Sequence, residues 1–181
     1  MNLKNTENSY GIVSRFLHWL IFLAVAGMLA VGLYMTEQKI SPDIIKLYGL
    51  HKSVGITVLA LAFLRIIWVL SHTAPKMLGL EKPWEKLAAR GVHGLLYLCL
   101  FLMPLSGWVM SSAAGYPVSV FGLFTLPDLV GADKGLYELA KEVHEITAYT
   151  FMGLIAAHAG AALMHHFIKN DRTLIRMIKG K

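Results

Sequence analysis

Residues 144–158 read HEITAYTFMGLIAAH, an apolar run with a histidine at each end. The two histidines, His144 and His158, are fourteen residues apart, which corresponds to about 21 Å of helix rise. At about 100° per residue their side chains fall about 40° apart, so they share one face of a helix. This stretch therefore predicts a long apolar helix that presents two potential metal ligands on one face, at different depths.

The composition of the whole chain is that of a membrane protein. Of 181 residues, 56% are hydrophobic and 15% are charged, and the mean hydropathy is +0.56. Ordinary globular chains carry about 45–50% apolar and about 25% charged residues. A chain this short cannot bury so much apolar surface away from water, and disordered chains are poor in apolar residues. We therefore expect an all-α membrane protein.

Residue counts exclude two further classes of function. The single cysteine, Cys99, excludes a disulfide framework and any multi-cysteine metal or iron–sulfur site. The net charge of +6 would fit nucleic-acid binding only if the basic residues formed a soluble face. They lie instead between and beyond the apolar runs, so we expect no nucleic-acid partner.

Four apolar runs are long enough to cross a bilayer, which takes about 20 helical residues. They cover residues 16–34, 47–70, 92–110 and 146–167, approximately. The first run has no small-residue cleavage site and contains His18 and Trp19, which distinguishes it from a signal peptide. We predict a four-transmembrane-helix bundle in which residues 1–181 form a single domain.

The positions of lysine and arginine predict how this bundle is oriented. With both termini and the second connection on one side, that side carries twelve of these residues and the other side five. Cytoplasmic segments of membrane proteins carry the excess of positive charge. Both termini are therefore expected to be cytoplasmic.

The third connection, residues 111–143, is the longest and the least polar. Its apolar stretch 117–124 is too short to span a bilayer, so we expect it to lie in the interface or over the outer mouth of the bundle. Asp133 predicts the N-cap of a helix that runs into the fourth span.

Six of the eight histidines lie inside the apolar runs, and His144 lies two residues before the fourth run. Ionisable side chains in such positions usually face the bundle interior and have a function, although each could also simply hydrogen-bond a neighbouring helix. Zinc ligands on one helix are three or four residues apart, close enough to hold one ion. The wider spacing of His144 and His158 favours two haems stacked across the bilayer.

Each haem then needs a second axial ligand from another helix at matching depth. His18 and His158 lie in the cytoplasmic halves of their spans, whereas His51 and His144 lie at the outer starts of theirs. This predicts an inner pair, His18 with His158, and an outer pair, His51 with His144. Two histidines leave the iron no open position, which suits electron transfer rather than oxygen binding.

Arg65 follows His51 by fourteen residues on the second span, at the depth of the inner pair. An arginine there could bind a haem propionate through a charge-assisted hydrogen bond. The alternative is an arginine that snorkels from a helix end to the interface.

Several segments resemble the prokaryotic cytochrome b561 family, and the resemblance extends from Tyr10 to about Met177. They read RFLHW at 15–19, LHKSVG at 50–55, VHGLLY at 92–97, HE at 144–145 and AHAGAALMHH at 157–166. The resemblance implies a four-helix protein of the bacterial inner (plasma) membrane with two b haems. Their axial ligands would be His18, His51, His144 and His158, and no Cys-x-x-Cys-His motif is present for covalent attachment.

Within that family, the chain is similar to members that oxidise superoxide and reduce ubiquinone. The resemblance thus implies a superoxide:ubiquinone oxidoreductase that takes electrons from a periplasmic donor. One alternative is a haem b membrane-anchor subunit that passes electrons from a hydrogenase- or formate dehydrogenase-like partner to quinone. Another is a non-redox membrane adaptor, which the histidine pattern disfavours. Apart from residues 111–143 the outer connections are short, which favours the independent oxidoreductase.

An anionic donor such as superoxide requires local positive charge at the outer face. Lys52, adjacent to His51, is the first candidate for steering the donor, and Lys134 and Lys141 are weaker ones. Each of them could equally be a solvated lysine without a role.

The quinone is expected near the inner haem, on the cytoplasmic side. His165 lies two turns beyond His158 on nearly the same face, and His93 and Arg90 open the third span on that side. A histidine can donate a hydrogen bond and relay protons to a quinone. These three residues could alternatively bind haem propionates or snorkel to the interface.

Overall fold

The computed structural model describes residues 2–79 and 82–180. Its elements in this part of the chain are α1 (Ile12–Thr36), α2 (Pro42–Ser71), α3 (Pro83–Ala113), β1 (Ser119–Val120), β2 (Phe124–Thr125), α4 (Lys134–Phe167) and α5 (Thr173–Lys179). The four long helices, α1 to α4, are each long and apolar enough to cross a membrane. The protein is therefore all-α apart from one small hairpin, and the four predicted spans are present.

Each long helix extends beyond its apolar run because its capping residues lie outside the hydrophobic segment. The Ser41 hydroxyl accepts a hydrogen bond from the backbone N–H of Ile44 at 3.3 Å, and Pro42 occupies the first turn of α2. The Asp133 carboxylate accepts one from the backbone N–H of Leu136 at 2.7 Å. The predicted N-cap of α4 is confirmed, and the third connection is shortened to residues 114–133.

The helices pack in sequence order. Helix α1 packs along α2, α2 along α3, and α3 along α4, whereas α4 does not pack extensively along α1 or α2. The central core is formed by buried side chains from all four helices: Ile21, Val25, Val58, Ala62, Cys99, Leu100 and Phe151. Many large apolar side chains, such as Leu23, Leu70 and Leu163, remain exposed, as is usual for a surface that faces lipid.

One end of the bundle, the terminal end, is formed by residues 2–11, 72–79 and 168–180. The backbone N–H of Lys76 donates to the Glu7 carbonyl at 2.9 Å, and the Arg15 guanidinium donates to the Ile178 carbonyl at 2.9 Å. These contacts place both termini and the second connection together, as the charge distribution predicts.

The opposite end, the hairpin end, carries the β1–β2 hairpin. The two strands pair antiparallel, with Val120 opposite Phe124. The Ser53 hydroxyl donates to the Ser119 carbonyl at 3.0 Å and accepts from the Phe121 backbone N–H at 3.0 Å. The Val118 side chain, directly before β1, is only 1% exposed. The third connection thus packs against α2 at this end, in agreement with its expected position over the mouth of the bundle.

Candidate haem-binding site

The structure brings together the same two histidine pairs that depth predicts. The ring centres of the inner pair, His18 and His158, are 6.1 Å apart and their planes are inclined by 68°. The ring centres of the outer pair, His51 and His144, are 6.4 Å apart with an inclination of 66°. Helix α4 contributes one ring to each pair, so the two sites lie about 21 Å apart along its axis.

These separations fit two imidazoles on opposite sides of one iron atom. A metal–imidazole bond is about 2 Å long and the ring centre lies about 1 Å beyond the nitrogen, so such rings are about 6 Å apart. Within residues 2–79 and 82–180, no three His, Cys, Asp or Glu side chains are grouped so that they could hold a metal ion. Two imidazole nitrogens per site are a donor set that suits a porphyrin-bound iron.

The helix arrangement also suits a flat macrocycle. Each pair joins α4 to α1 or α2, the two helices along which α4 does not pack extensively. Phe151 lies seven residues from His144 and seven from His158, and its side chain is 5% exposed within the central core. This phenyl ring therefore fills the interior between the levels of the two pairs.

The His144 ring is oriented by two residues of α3. Its Nδ1 lies 3.0 Å from the Ser106 hydroxyl, and that hydroxyl donates its proton to the Met103 carbonyl at 2.9 Å. The serine oxygen therefore accepts from His144 Nδ1–H, which leaves the Nε2 lone pair for iron. A Cβ added at Gly107 would lie 3.2 Å from His144 Cε1, so a glycine allows the ring to approach α3.

Sequence reasoning missed Ser106 and Gly107. Two consecutive small residues inside an apolar run could have indicated a close helix contact at this position, since small residues allow membrane helices to approach each other.

The His51 ring has a different environment. Its Nδ1 is buried and has no hydrogen-bond partner within the described chain. A Cβ added at Gly32 would lie 3.6 Å from His51 Cε1, so α1 packs closely against this ring. A buried polar atom without a partner is costly. The His51 ring is thus held by packing against α1, without the hydrogen bond that orients His144.

Lys52 is half-buried beside the outer pair and contacts the segment before the hairpin. Its ammonium donates to the Ser111 hydroxyl at 3.1 Å and to the Pro117 carbonyl at 3.2 Å. In the part of the chain that the structure describes, it forms no ion pair. Its positive charge is thus held next to His51 and is not neutralised by a carboxylate, while Lys134 and Lys141 are exposed on α4.

Arg65 lies beside the inner pair. Its Nε donates to the Tyr97 hydroxyl at 3.1 Å and its Nη1 to the Ser14 carbonyl at 3.3 Å. Ser14 precedes His18 by four residues on α1, so Arg65 lies one helical turn from the inner pair, held by Tyr97 and Ser14.

The structure brings His93, but not Arg90, to the inner pair. The His93 and His158 ring centres are 5.0 Å apart with an inclination of 82°, and His93 Nδ1 lies 2.6 Å from the Ala89 carbonyl. A separation of 5.0 Å is too short for two ligands of one iron, so His93 is a neighbour of the pair. Arg90 is exposed one turn earlier.

His165 is 7% exposed and lies inside the terminal end. Its Nδ1 is 2.5 Å from Asp171 Oδ2, and the backbone N–H of Thr173 donates to Asp171 Oδ1 at 2.8 Å. Burial alone would raise the pKa of Asp171, but the hydrogen bonds from Thr173 and His165 outweigh it and lower that pKa. The imidazole is therefore held by a carboxylate that stays ionised.

An open cavity of about 350 Å³ lies next to this pair at the terminal end. It is lined by Gly79, Lys82, Glu85, Lys169 and Asp171. Charged side chains of both signs line it, so it gives water access to Asp171.

Known proteins match the chain over nearly its whole length. The model of the family described as prokaryotic cytochrome b561 matches residues 9–180. Cytochrome b561 homolog 2 of Escherichia coli (strain K12) is 37% identical over 179 residues, 98% of this chain and 95% of that protein. Cytochrome b561 homolog 1 of the same organism is 33% identical over 172 residues, 94% of this chain and 97% of that protein.

A third relative is the probable superoxide oxidase CybB of Yersinia pestis. It is 28% identical over 176 residues, which cover 97% of this chain and 98% of that protein. The family match and the two relatives above 30% identity agree with the four apolar spans. The chain belongs to the prokaryotic cytochrome b561 family and is a bacterial membrane protein of electron transfer, for which the family implies haem b as cofactor.

Proposed function

We propose that this protein carries electrons across the membrane from superoxide at the hairpin end to ubiquinone at the terminal end. The hairpin end faces the periplasm and the terminal end, with twelve lysines and arginines on its side, faces the cytoplasm. The single observation that carries the proposal is the two histidine pairs, with ring centres 6.1 and 6.4 Å apart at two depths of one helix.

Two haems would be held by four histidines, His18 with His158 and His51 with His144. Haem b would supply one-electron chemistry when these histidines bind it. Ser106 fixes the tautomer of His144, and Phe151 excludes water from the interior between the two sites. The chain thus keeps both sites in an apolar interior, so that electrons enter and leave only at the two ends.

Superoxide is proposed as donor because the hairpin end offers a local positive charge beside the outer pair. The Lys52 ammonium is held by Ser111 and Pro117 and forms no ion pair among the described residues. An attractive local field raises the association rate of an anion. A relative named probable superoxide oxidase, aligned over 97% of this chain, also supports this donor.

Ubiquinone is proposed as acceptor near the inner pair. Each superoxide ion loses one electron and leaves as O₂, and a quinone that accepts two electrons and two protons becomes quinol. His165 is oriented by Asp171, which accepts its Nδ1–H and leaves the other ring nitrogen to exchange protons. The cavity beside Asp171 connects this relay to water on the cytoplasmic side, and His93 lies next to His158.

The test uses the purified protein in detergent, with an enzymatic source of superoxide and a soluble ubiquinone. Haem reduction is followed by absorbance while quinol formation is measured in the same sample, and superoxide dismutase is the control. We expect two b haems per chain by pyridine haemochrome and quinol formation that dismutase abolishes. A red protein that superoxide does not reduce, but that co-purifies with an iron–sulfur partner, would instead identify a haem b membrane-anchor subunit.

A further inference from the structure

Helix α5 closes the terminal end between the two helices that carry the inner pair. It packs against α4, and its last carbonyls contact α1. Trp19 Nε1 donates to the Met177 carbonyl at 3.1 Å, and Arg15 Nη1 donates to the Ile178 carbonyl at 2.9 Å. Because Trp19 directly follows His18, α5 lies just below the level of the inner pair.

The buried face of α5 carries an arginine with most of its donors unpaired. Arg176 is 5% exposed. Its Nη1 donates to the Lys76 carbonyl at 2.8 Å, and its Cζ lies 5.7 Å from the centre of the Tyr10 ring. Its Nε and Nη2 are buried and have no partner among the described residues. A buried guanidinium without a counter-charge is strongly unfavourable.

A second unpaired donor lies next to this guanidinium. The Thr173 hydroxyl is also buried without a partner, and it precedes Arg176 by three residues, which places both side chains on one face of α5. Arg15 Nε, on the facing turn of α1, is buried and unpaired as well. Because Arg15 is hydrogen-bonded to the Ile178 carbonyl of α5, these unpaired groups belong to the same contact between α1 and α5.

The unpaired edge of Arg176 has the geometry of a carboxylate receptor. Nε and Nη2 are two donors of a rigid planar fork, which binds the two oxygens of a carboxylate or phosphate in parallel. A hydroxyl can add a third hydrogen bond to the same oxygens. The ligand that satisfies this site is therefore an oxyanion.

The position of the site decides between two sources of such an oxyanion. A phospholipid phosphate would approach from the surface, where Arg172 and Lys179 of the same helix are exposed, whereas Arg176 is buried. A haem held by His18 and His158 would carry two propionates, and Arg65 of α2 contacts α1 at Ser14, one turn before His18. Arg176 directly precedes Met177, whose carbonyl accepts from Trp19 next to His18, so α5 brings this guanidinium close to the level of the inner pair.

We infer that Arg176 and Thr173 bind a propionate of the haem at the inner pair. This inference rests on the proposed two-haem function. Helix α5 contains none of the four paired histidines, but through this contact it would hold the inner haem in place and add a positive charge beside it. A nearby positive charge favours the reduced form of a haem, so the inner haem is expected to have a higher reduction potential because of Arg176.

The experiment compares Arg176→Gln with Arg172→Gln, which removes the same charge from an exposed position of the same helix. Intact holoprotein is first assayed for two haems, because a wild-type chain with fewer would contradict the proposed function and not this inference. Each haem is then assigned by its spectrum in His144→Ala and His158→Ala. Redox titration and transfer of haem to apomyoglobin are measured for every variant.

In Arg176→Gln we expect a lowered potential and about tenfold faster loss of the inner haem, equivalent to about 1.4 kcal/mol. The outer haem and the Arg172→Gln variant should resemble the wild type, and Thr173→Val should show a smaller change of the same sign. Unchanged inner-haem potential and loss rate would overturn the inference. Loss of a bound anionic phospholipid in native mass spectrometry, with the inner haem unaffected, would identify a lipid phosphate as the occupant. If Arg176→Gln does not fold, Arg176→Lys and Thr173→Val decide through the same two readouts.

Discussion

Replacing Ser106 by alanine should weaken the outer haem site selectively. The Ser106 hydroxyl is the hydrogen-bond acceptor for His144 Nδ1–H, at 3.0 Å, and the residue is 6% exposed, so water cannot take its place. Partners of metal-bound histidines typically contribute about 10–100-fold to metal affinity, which corresponds to about 1.4–2.8 kcal/mol. The variant should therefore lose its outer haem about 10–100-fold faster than the wild type.

The reduction potential gives a second readout of the same bond. A hydrogen bond from Nδ1–H makes the imidazole a more basic ligand, which stabilises the oxidised iron, so its removal should raise the outer-haem potential. Ser112→Ala is the matched control, because Ser112 is buried on the same helix and its hydroxyl accepts from the Leu129 N–H instead. Equal haem loss in the two variants, or a change at the inner haem, would refute the orientation of His144 described above.

Four further outcomes are expected. Replacing His51 or His144 by alanine should remove the outer haem, and replacing His18 or His158 should remove the inner haem, as counted by pyridine haemochrome. If an outer-pair variant and an inner-pair variant lost the same haem, the pairing would be wrong. Lys52→Glu should slow haem reduction by superoxide in stopped flow at low ionic strength, and the difference should shrink at about 0.15 M salt, where the Debye length is about 8 Å; an unchanged rate at low salt would exclude Lys52 from steering. His165→Ala, with both haems retained, should slow re-oxidation by ubiquinone about tenfold, or about 1.4 kcal/mol, whereas normal re-oxidation would place the quinone elsewhere. Folding lowers the pKa of Asp171, so its ionised carboxylate stabilises the fold at pH values above the unfolded pKa of about 3.9, and this stabilisation is lost as the pH falls through the folded pKa. The melting temperature of Asp171→Asn should therefore fall less on acidification than that of the wild type. Identical pH profiles of the melting temperature would contradict a stabilising role of the carboxylate.

The parts of the fold that depend on periodicity could be predicted from the sequence. The spacing of His144 and His158 determines their shared face because helix geometry is fixed. Asp133 could be identified as a cap because a carboxylate before an apolar helix satisfies unpaired backbone N–H groups. The four spans followed from hydropathy, since lipid leaves few ways to satisfy the backbone.

The parts that depend on contacts between distant segments could not be predicted. Ser106 acquires its role only when α3 brings it to His144, 38 residues away. The short helix α5 has no long apolar run, so nothing in its pattern indicated that Arg176 is buried while Arg172 is exposed. Lys52 was singled out for its position next to His51, and its hydrogen bonds to the segment before the hairpin depend on how residues 111–117 fold back.

Because α4 contributes one histidine to each pair, neither site exists until the last long helix has entered the membrane. During synthesis His18 and His51 are made first, and the histidine that pairs with each of them follows more than 90 residues later. If the two pairs hold haem as proposed, the cofactor is loaded only after α4 is made, and a chain with only the first three helices binds no haem. Ribosome-stalled chains that end before residue 134 should accordingly be inserted but colourless.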